Sequence, residues 1–370
     1  MKKICWITPD YFIDSDMQCV PKLDDSLLIH WIVYLPSEGS RYKYDDFKVF
    51  MECKTIKIKV IQSKYREKNP LKIFEYLKFI SIIRNINPDA IYINMVPSSP
   101  WQIPMYCFLP KSKTIVTAHQ GKVHEGMGHY RYYNFLRDIV YKKIKHVNMF
   151  SKSQALLFRQ RYPNSIIYQW PLGLKNFGVS SVKKKNEDVT TFLSFGIINY
   201  AKHIDLLLDA ANMVYERGIH NFVIVVKGNC TNWNLYKKHI KYPHIIEADI
   251  RMIENSEIPD LFTSSDYFVQ PYRVVSQSGP FKIALNYNLP IITSNLTGFL
   301  DEMVENVTGF IFETNNVTAL ADTLEKAIRI KQNKLEYSEM KKKMRQYVEN
   351  NYSSQKMTEN YISMFNDLLD

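Results

Sequence analysis

Short runs of apolar, β-branched and aromatic residues alternate along this chain with longer stretches whose apolar positions recur every three or four residues. That rhythm predicts strands alternating with helices, and hence parallel sheets joined by crossover connections. Strands are expected at Lys3–Thr8, Leu27–Leu35, Thr55–Ile61, Ala90–Met95, Lys113–Ala118, His146–Phe150 and Ser165–Gln169. Helical patterns fall between several of them, at Pro70–Asn85, Tyr130–Lys145 and Ser151–Arg161, with Ser151 placed to cap the last.

After Trp170-Pro171-Leu172-Gly173 a polar run, Lys175 to Thr191, reads as a linker. A second strand–helix series follows it. Its strands are TFLSFG from Thr191, NFVIVVKG from Asn221, HIIEA from His244, DYFVQPY from Asp266, PIITS from Pro290 and GFIF from Gly309. Its helices are His203–Arg217, a segment near Trp233–Lys241, Ile258–Ser264, Pro280–Asn288 and a long tail from Val317 onward. Two doubly wound α/β domains in one chain is the reading, and 370 residues suit two cores better than one.

Composition adds little to this except through charge. Hydrophobic residues make up 46% and charged residues 23%, the profile of a folded chain, and aromatics reach 14%. No stretch reaches 18 uncharged apolar residues, and the first strand is too short for a signal peptide, so a cytoplasmic location is expected. The five cysteines are scattered and never spaced CxxC, which suggests neither a zinc site nor a disulfide framework. Of the 48 Lys+Arg and 37 Asp+Glu, 26 and 14 lie up to Leu172, a net of +12; the remaining 22 and 23 give −1. A one-sided basic domain points to an anionic partner. Two amphipathic stretches, Lys64–Arg84 and Arg131–His146, mix Tyr and Phe with Lys and Arg, as suits the inner face of an anionic membrane. No recognisable nucleic-acid reading helix or aromatic sheet is present, and no nucleic-acid partner is expected.

Candidate chemistry gathers in loops after strands, where doubly wound sheets bind ligands. Gly196 ends one strand, and Lys202 falls at the start of the amphipathic helix that follows. Gln277-Ser278-Gly279-Pro280 opens another helix, where free backbone N–H groups and small side chains let an anion approach. The ordered set Gly196…Lys202-His203, Leu206–Ala210, Lys227-Gly228, Leu261–Asp266, Pro271-Tyr272, Ser278-Gly279, Leu289–Ser294 and Gly298…Glu302…Gly309 resembles the donor-binding domain of family 4 glycosyltransferases over about 135 residues.

The resemblance implies a GT-B architecture of two Rossmann-like domains facing across a cleft. Residues 1–172 plus about 353–370 would bind the acceptor and 173–352 the nucleotide sugar, with the last helix crossing back onto the first domain. It also implies a retaining transfer of a hexose-type sugar from a nucleotide-diphosphate donor to a glycan or lipid-linked acceptor, without a metal or other cofactor. Surface-polysaccharide assembly (capsule or lipopolysaccharide) would be the setting. Donor contacts would come from Gly196, Lys202, Lys227, Gly228, Gln277, Ser278 and Gly279. His119, in Thr117-Ala118-His119-Gln120, would face the transferred sugar.

The chain departs from the family pattern in three places. Ile197 stands where many relatives have Arg, and Val275 and Ile283 stand where they carry two glutamates. Gln277-Ser278-Gly279 resembles a branch without that pair, and Arg273 is a substitute phosphate partner. Asp14, with Asp16, lies after the first strand and is a candidate for binding or orienting the acceptor, although a surface turn accounts for the two equally well. The segment His124–His129 resembles a zinc-protease motif, but its histidines are five apart with Gly126 and Gly128 between them, so no metal site is expected. The lost glutamates leave a non-catalytic scaffold as an alternative, and a sugar-nucleotide 2-epimerase shares the architecture.

Overall fold

The computed structural model describes residues 1–23, 27–121, 129–182 and 188–370. The chain divides into two units, Met1–Gly173 with Ser354–Asp370, and Leu174–Ser353.

The first unit contains a seven-stranded parallel sheet in the order β3-β2-β1-β4-β5-β6-β7. The strands are β1 (Lys2–Pro9), β2 (Leu27–Leu35), β3 (Ile56–Gln62), β4 (Ala90–Ile93), β5 (Thr114–Ala118), β6 (His146–Met149) and β7 (Ile166–Gln169). Its helices are α1 (Ile13–Cys19), α2 (Lys72–Ile86), α3 (Ile103–Phe108), α4 (Tyr130–Tyr141) and α5 (Lys152–Arg161). Ser151 caps α5 by accepting from the Gln154 N–H at 3.2 Å. Strands β1, β4 and β5 are buried on both faces, so they read as near-continuous apolar runs rather than alternating ones.

The second unit repeats the arrangement with six parallel strands in the order β10-β9-β8-β11-β12-β13. These are β8 (Thr190–Phe195), β9 (Phe222–Lys227), β10 (Ile246–Asp249), β11 (Tyr267–Gln270), β12 (Ile291–Ser294) and β13 (Gly309–Phe312). The helices are α6 (Ile204–Glu216), α7 (Asn234–Lys237), α8 (Ile258–Ser264), α9 (Gly279–Asn286), α10 (Thr297–Leu300), α11 (Val317–Gln332) and α12 (Lys334–Tyr352). Ile204, Leu207, Leu208, Ala211 and Val214 form the buried stripe of α6 against the sheet. The last helix, α13 (Ser354–Leu369), belongs to the first unit. There Tyr361 and Phe365 pack on the Trp6 and Tyr92 rings.

In both sheets the strand order reverses between the first and fourth strands, β1 and β4 or β8 and β11. That reversal opens a crevice at the carboxyl edge, which is where such sheets bind ligands.

Three expectations need correcting. The helix near Trp233–Lys241 is a single turn, α7. The linker run is not a free tether over its described part. Leu174 and Phe177 pack into the second unit's core, and the Ser180 hydroxyl and Ser181 N–H both donate to the Asp260 carboxylate at 2.8 Å. Its two serines hydrogen-bond to α8, while Asn176, Gly178, Val179 and Val182 are exposed. Asp14 and Asp16 lie on a helix, α1, and not in a surface turn: Asp16 is buried. His124 and the rest of 124–128 lie outside the described residues.

Candidate active site

The second unit's switch point is built from the loops after β8 and β11. Gly196 and Gly228 end neighbouring strands, and their backbones touch. A Cβ on Gly228, whose φ is +148°, would stand 1.9 Å from the Gly196 carbonyl oxygen. The chain then turns through Asn199, whose side chain accepts from the Ala201 N–H, and delivers Lys202 ahead of α6. His203 takes the left-handed conformation (φ +53°). Its ring is buried and bonds to the Pro271 backbone; burial and the nearby Arg273 charge push its pKa down.

Lys202 is joined to the second loop by a relay of hydrogen bonds. Its ammonium donates to Tyr272 Oη and sits 3.8 Å from that ring's centroid. Gln270, fully buried, donates to Tyr272 Oη at 2.8 Å and to Ser278 Oγ at 2.6 Å. Ser278 Oγ in turn accepts from the Phe281 N–H and caps α9. The carboxyl end of β11 therefore fixes a cation and a helix N-terminus relative to each other.

A second lysine reaches this point that sequence reasoning missed. Lys175 is nearly buried, and its Nζ lies 3.2 Å from where a Cβ on Gly279 would stand. A cation against a helix N-terminus opposes the dipole there, and the arrangement suits an anion resting on both. The only signal in the sequence was a lysine in a run taken for linker. Beside it, Gln277 Nε2 is a buried donor with no hydrogen-bond partner among the described residues. Gly298 supports the loop from below, since a Cβ there would strike the Val275 carbonyl oxygen at 2.6 Å.

The other donor-side candidates are tied into ion pairs. Arg273 forms an ion pair with Asp205 at 2.6 Å, donates to the Tyr200 carbonyl at 2.7 Å and stacks on the Tyr200 ring. The guanidinium holds the Asp205 carboxyl below its ordinary range, although burial opposes it. These residues border a pocket of about 370 Å³ that Asn199, Cys230, Tyr236 and His239 also line. Lys227 pairs with Asp249 at 3.6 Å, and Arg251 bridges Asp249 to Glu257 at the ends of β9 and β10.

In the first unit the loops after β1, β4 and β5 meet. His119 is half-buried, with the Phe12 ring 4.6 Å away and the Phe150 ring 5.8 Å away, centroid to centroid. Tyr11, whose ring lies 6.3 Å from His119, accepts from the Val96 N–H. Gln120 accepts from Arg137 at 3.3 Å. Asp14 is half-buried in the first turn of α1, one turn from Asp10. The Asp10 carboxyl is pushed up by burial and by the Asp14 charge, against the hydroxyl of Ser40, which donates to it. This carboxylate pair was not legible in advance, because the burial that couples Asp10 to Asp14 depends on Ser40 and other residues distant in the chain.

Asp16, the other acidic candidate, is structural. It accepts from Trp6 Nε1 at 2.9 Å, Thr8 Oγ1 at 2.6 Å and Asn94 Nδ2 at 2.9 Å, and burial pushes its pKa up to about 6. It locks β1 to β4 and does not reach the surface. Among the described residues there is no group of three or more His, Cys, Asp or Glu able to hold a metal.

Comparison with known proteins places these features. Residues 179–354, nearly all of the second unit, match the family model of glycosyl transferases group 1. A glycogen synthase of Thermodesulfovibrio yellowstonii is 22% identical over 219 residues, 54% of this chain and 42% of that protein. A capsular polysaccharide biosynthesis glycosyltransferase, CapM of Staphylococcus aureus, is 37% identical over 81 residues, 22% of this chain and 20% of that protein. The chain thus spans less than half the length of these curated relatives. Among solved structures, a glycosyltransferase from Rickettsia africae has a TM-score of 0.72 at 17% identity, covering 100% of this chain and 99% of its own. HepE from Anabaena, solved with UDP and glucose, has a TM-score of 0.72 at 12% identity, covering 99% and 100%. The fold is GT-B, two Rossmann-like parallel-sheet domains.

Proposed function

We propose that this protein is a glycosyltransferase of the family 4 type. It moves a hexose-type sugar from a nucleotide-diphosphate donor to a glycan or lipid-linked acceptor in surface-polysaccharide assembly, with retention of configuration. The observation that carries the reading is the convergence of Lys202, Lys175 and the Ser278-Gly279 start of α9 at one switch point. Two ammonium groups and the positive end of α9 would hold the diphosphate and stabilise the charge that develops on it as the glycosidic bond breaks. In this reading the cations do the work a metal does elsewhere, and the transfer is metal-free. The pocket beside Arg273, Tyr236 and His239 is the place for the nucleoside.

Val275 and Ile283, at the positions of the family's glutamates, suit the Gln277-Ser278-Gly279 branch, in which the buried Gln277 amide takes over a polar contact to the donor. His119 with the Asp10–Asp14 pair is our choice for the first unit's contribution, with Asp14 orienting the acceptor hydroxyl. A cytoplasmic enzyme lying against the inner face of the membrane fits the first unit's charge. Exposed Phe74, Tyr132 and Phe135 lie on α2 and α4, which also carry Lys78, Arg84, Arg131 and Arg137, and no helix among the described residues is long and apolar enough to span a membrane.

The test is thermal stabilisation by a panel of nucleoside diphosphates and nucleotide sugars, repeated on Lys202→Ala. A ligand at a hundred times its Kd adds about 2.7 kcal/mol to the native state. A shift with one nucleotide, lost in the variant, supports the proposal and names the base. No shift with any nucleotide would favour a non-catalytic scaffold, and a changed sugar without acceptor would favour an epimerase.

A further inference from the structure

The second unit carries a cavity of about 550 Å³ that the donor site does not use. Lys331, Lys334, Lys341, Lys342 and Arg345 line it, against a single carboxylate, Asp266. Asp266 is buried and pairs with Lys331 at 3.5 Å, and the lining holds four more cations than carboxylates. Counting along the chain gives no hint of this, because the second half is neutral as a whole.

The wall is an organised surface of one helix. In α12, Lys334, Ser338, Lys341 and Arg345 follow one another at spacings of four, three and four, and Lys342 lies four beyond Ser338, which gathers them on one face. Met340 and Met344 lie on a neighbouring face and are buried in the core, which fixes the helix's rotation. Glu336 and Glu339 fall outside the cationic arc. Like charges three and four apart on a helix repel. That repulsion is relieved when an anion sits among them. Lys334 at the first position of α12 adds its charge to the positive end of the helix dipole, and the Ser338 and Thr263 hydroxyls supply neutral donors.

The cavity is separate from the donor loops. Ser265 and Asp266 immediately precede β11, and Asn288 precedes β12, so the cavity sits where these parallel strands begin. Lys202, Tyr272 and Ser278 lie where β8 and β11 end. The length of β11 separates the two edges, roughly 13 Å at about 3.3 Å per residue.

We propose that this cavity is a second anion site, which binds a ligand bearing two or more phosphate groups independently of the nucleotide-sugar donor. The phosphates lie along the α12 face, held by charge-assisted bonds from Lys341, Lys342 and Arg345. Such groups can come from a soluble phosphorylated molecule or from anionic lipid headgroups.

Calorimetric titration of the full chain with inorganic tripolyphosphate tests this, using wild type, Lys202→Ala and the exposed double variant Lys342→Gln/Arg345→Gln. Binding at this cavity should be alike in wild type and Lys202→Ala, whereas any tripolyphosphate binding at the donor loops should weaken in Lys202→Ala. The double variant should bind it roughly tenfold more weakly or worse, with a shallower salt dependence and an unchanged Tm. Co-sedimentation with vesicles of phosphatidylcholine and phosphatidylglycerol identifies the source. Vesicle binding lost in the double variant assigns the site to headgroups, and tripolyphosphate binding without it assigns the site to a soluble ligand. Absence of tripolyphosphate binding in wild type, or binding lost in Lys202→Ala and kept in the double variant, overturns the proposal.

Discussion

The Lys202 ammonium lies 3.8 Å from the centroid of the Tyr272 ring and donates to that residue's hydroxyl. This contact joins the loop after β8 to the loop after β11, and through Gln270 to the cap of α9. A long lysine side chain is thereby pre-positioned, so less rotamer freedom is lost when an anion binds. Lys202→Ala should lower donor kcat/KM by roughly 10- to 100-fold, the scale of one charge-assisted hydrogen bond. Tyr272→Phe, which keeps the ring, should cost only a few-fold. Steady-state kinetics of the two variants checks the order.

Lys175 should matter to the donor although it lies in the run that resembles a linker. Lys175→Met keeps most of the buried stem and removes the charge beside Gly279. Nucleotide affinity should fall by about tenfold with little change in apo Tm, as expected for losing a charged hydrogen-bond partner. Equal affinities by titration would remove Lys175 from the site.

The Lys282–Glu302 pair is buried under α9 with the Lys282 ammonium 4.2 Å from the Tyr352 ring centroid, and burial pushes the lysine's pKa down. Breaking such a pair from one side leaves a charge without its counter-ion, at a cost of roughly 3–5 kcal/mol. Lys282→Met or Glu302→Leu alone should therefore destabilise the second unit far more than the double variant Lys282→Met/Glu302→Leu. Urea denaturation of wild type, both singles and the double measures the coupling.

Asp16 predicts a pH dependence in the first unit. Its folded pKa of about 6 lies above the ordinary carboxyl value, so the native state holds this proton more tightly than the unfolded chain. The resulting stabilisation is complete below about pH 4 and is lost as pH rises through 6. A shift of about two units corresponds to roughly 3 kcal/mol. The stability difference between wild type and Asp16→Asn should move against wild type by up to that amount between pH 4 and 7. A flat difference in melts across that range would contradict the assignment.

Gly228→Ala tests the backbone contact beneath the donor loops. The added carbon would stand 1.9 Å from the Gly196 oxygen at a φ that side chains avoid. We expect a loss of roughly 2 kcal/mol or more, read as a lowered Tm, with donor binding impaired in whatever remains folded.

The sequence by itself determined the fold class and the two loops that meet at the second unit's switch point, because both are local in character. A strand buried on two faces must be apolar throughout, as Cys5–Ile7 and Ile91–Ile93 are. A helix that lies on a sheet must repeat every three or four residues, as Ile204–Val214 does. A capped, open helix start needs small residues and a side-chain acceptor, which Ser278-Gly279-Pro280 displays in three consecutive letters. Only the tertiary structure decided what depends on distant segments meeting. It buried Asp16 among Trp6, Thr8 and Asn94, drew Lys175 out of a polar run to the first turn of α9, and bound Arg273 to Asp205. It also gathered Lys331 and the α12 cations around Asp266, in a half of the chain whose net charge is close to zero. Charge and hydrogen bonding act through space, so their partners are set by how the strands and helices pack and leave no periodic trace along the chain.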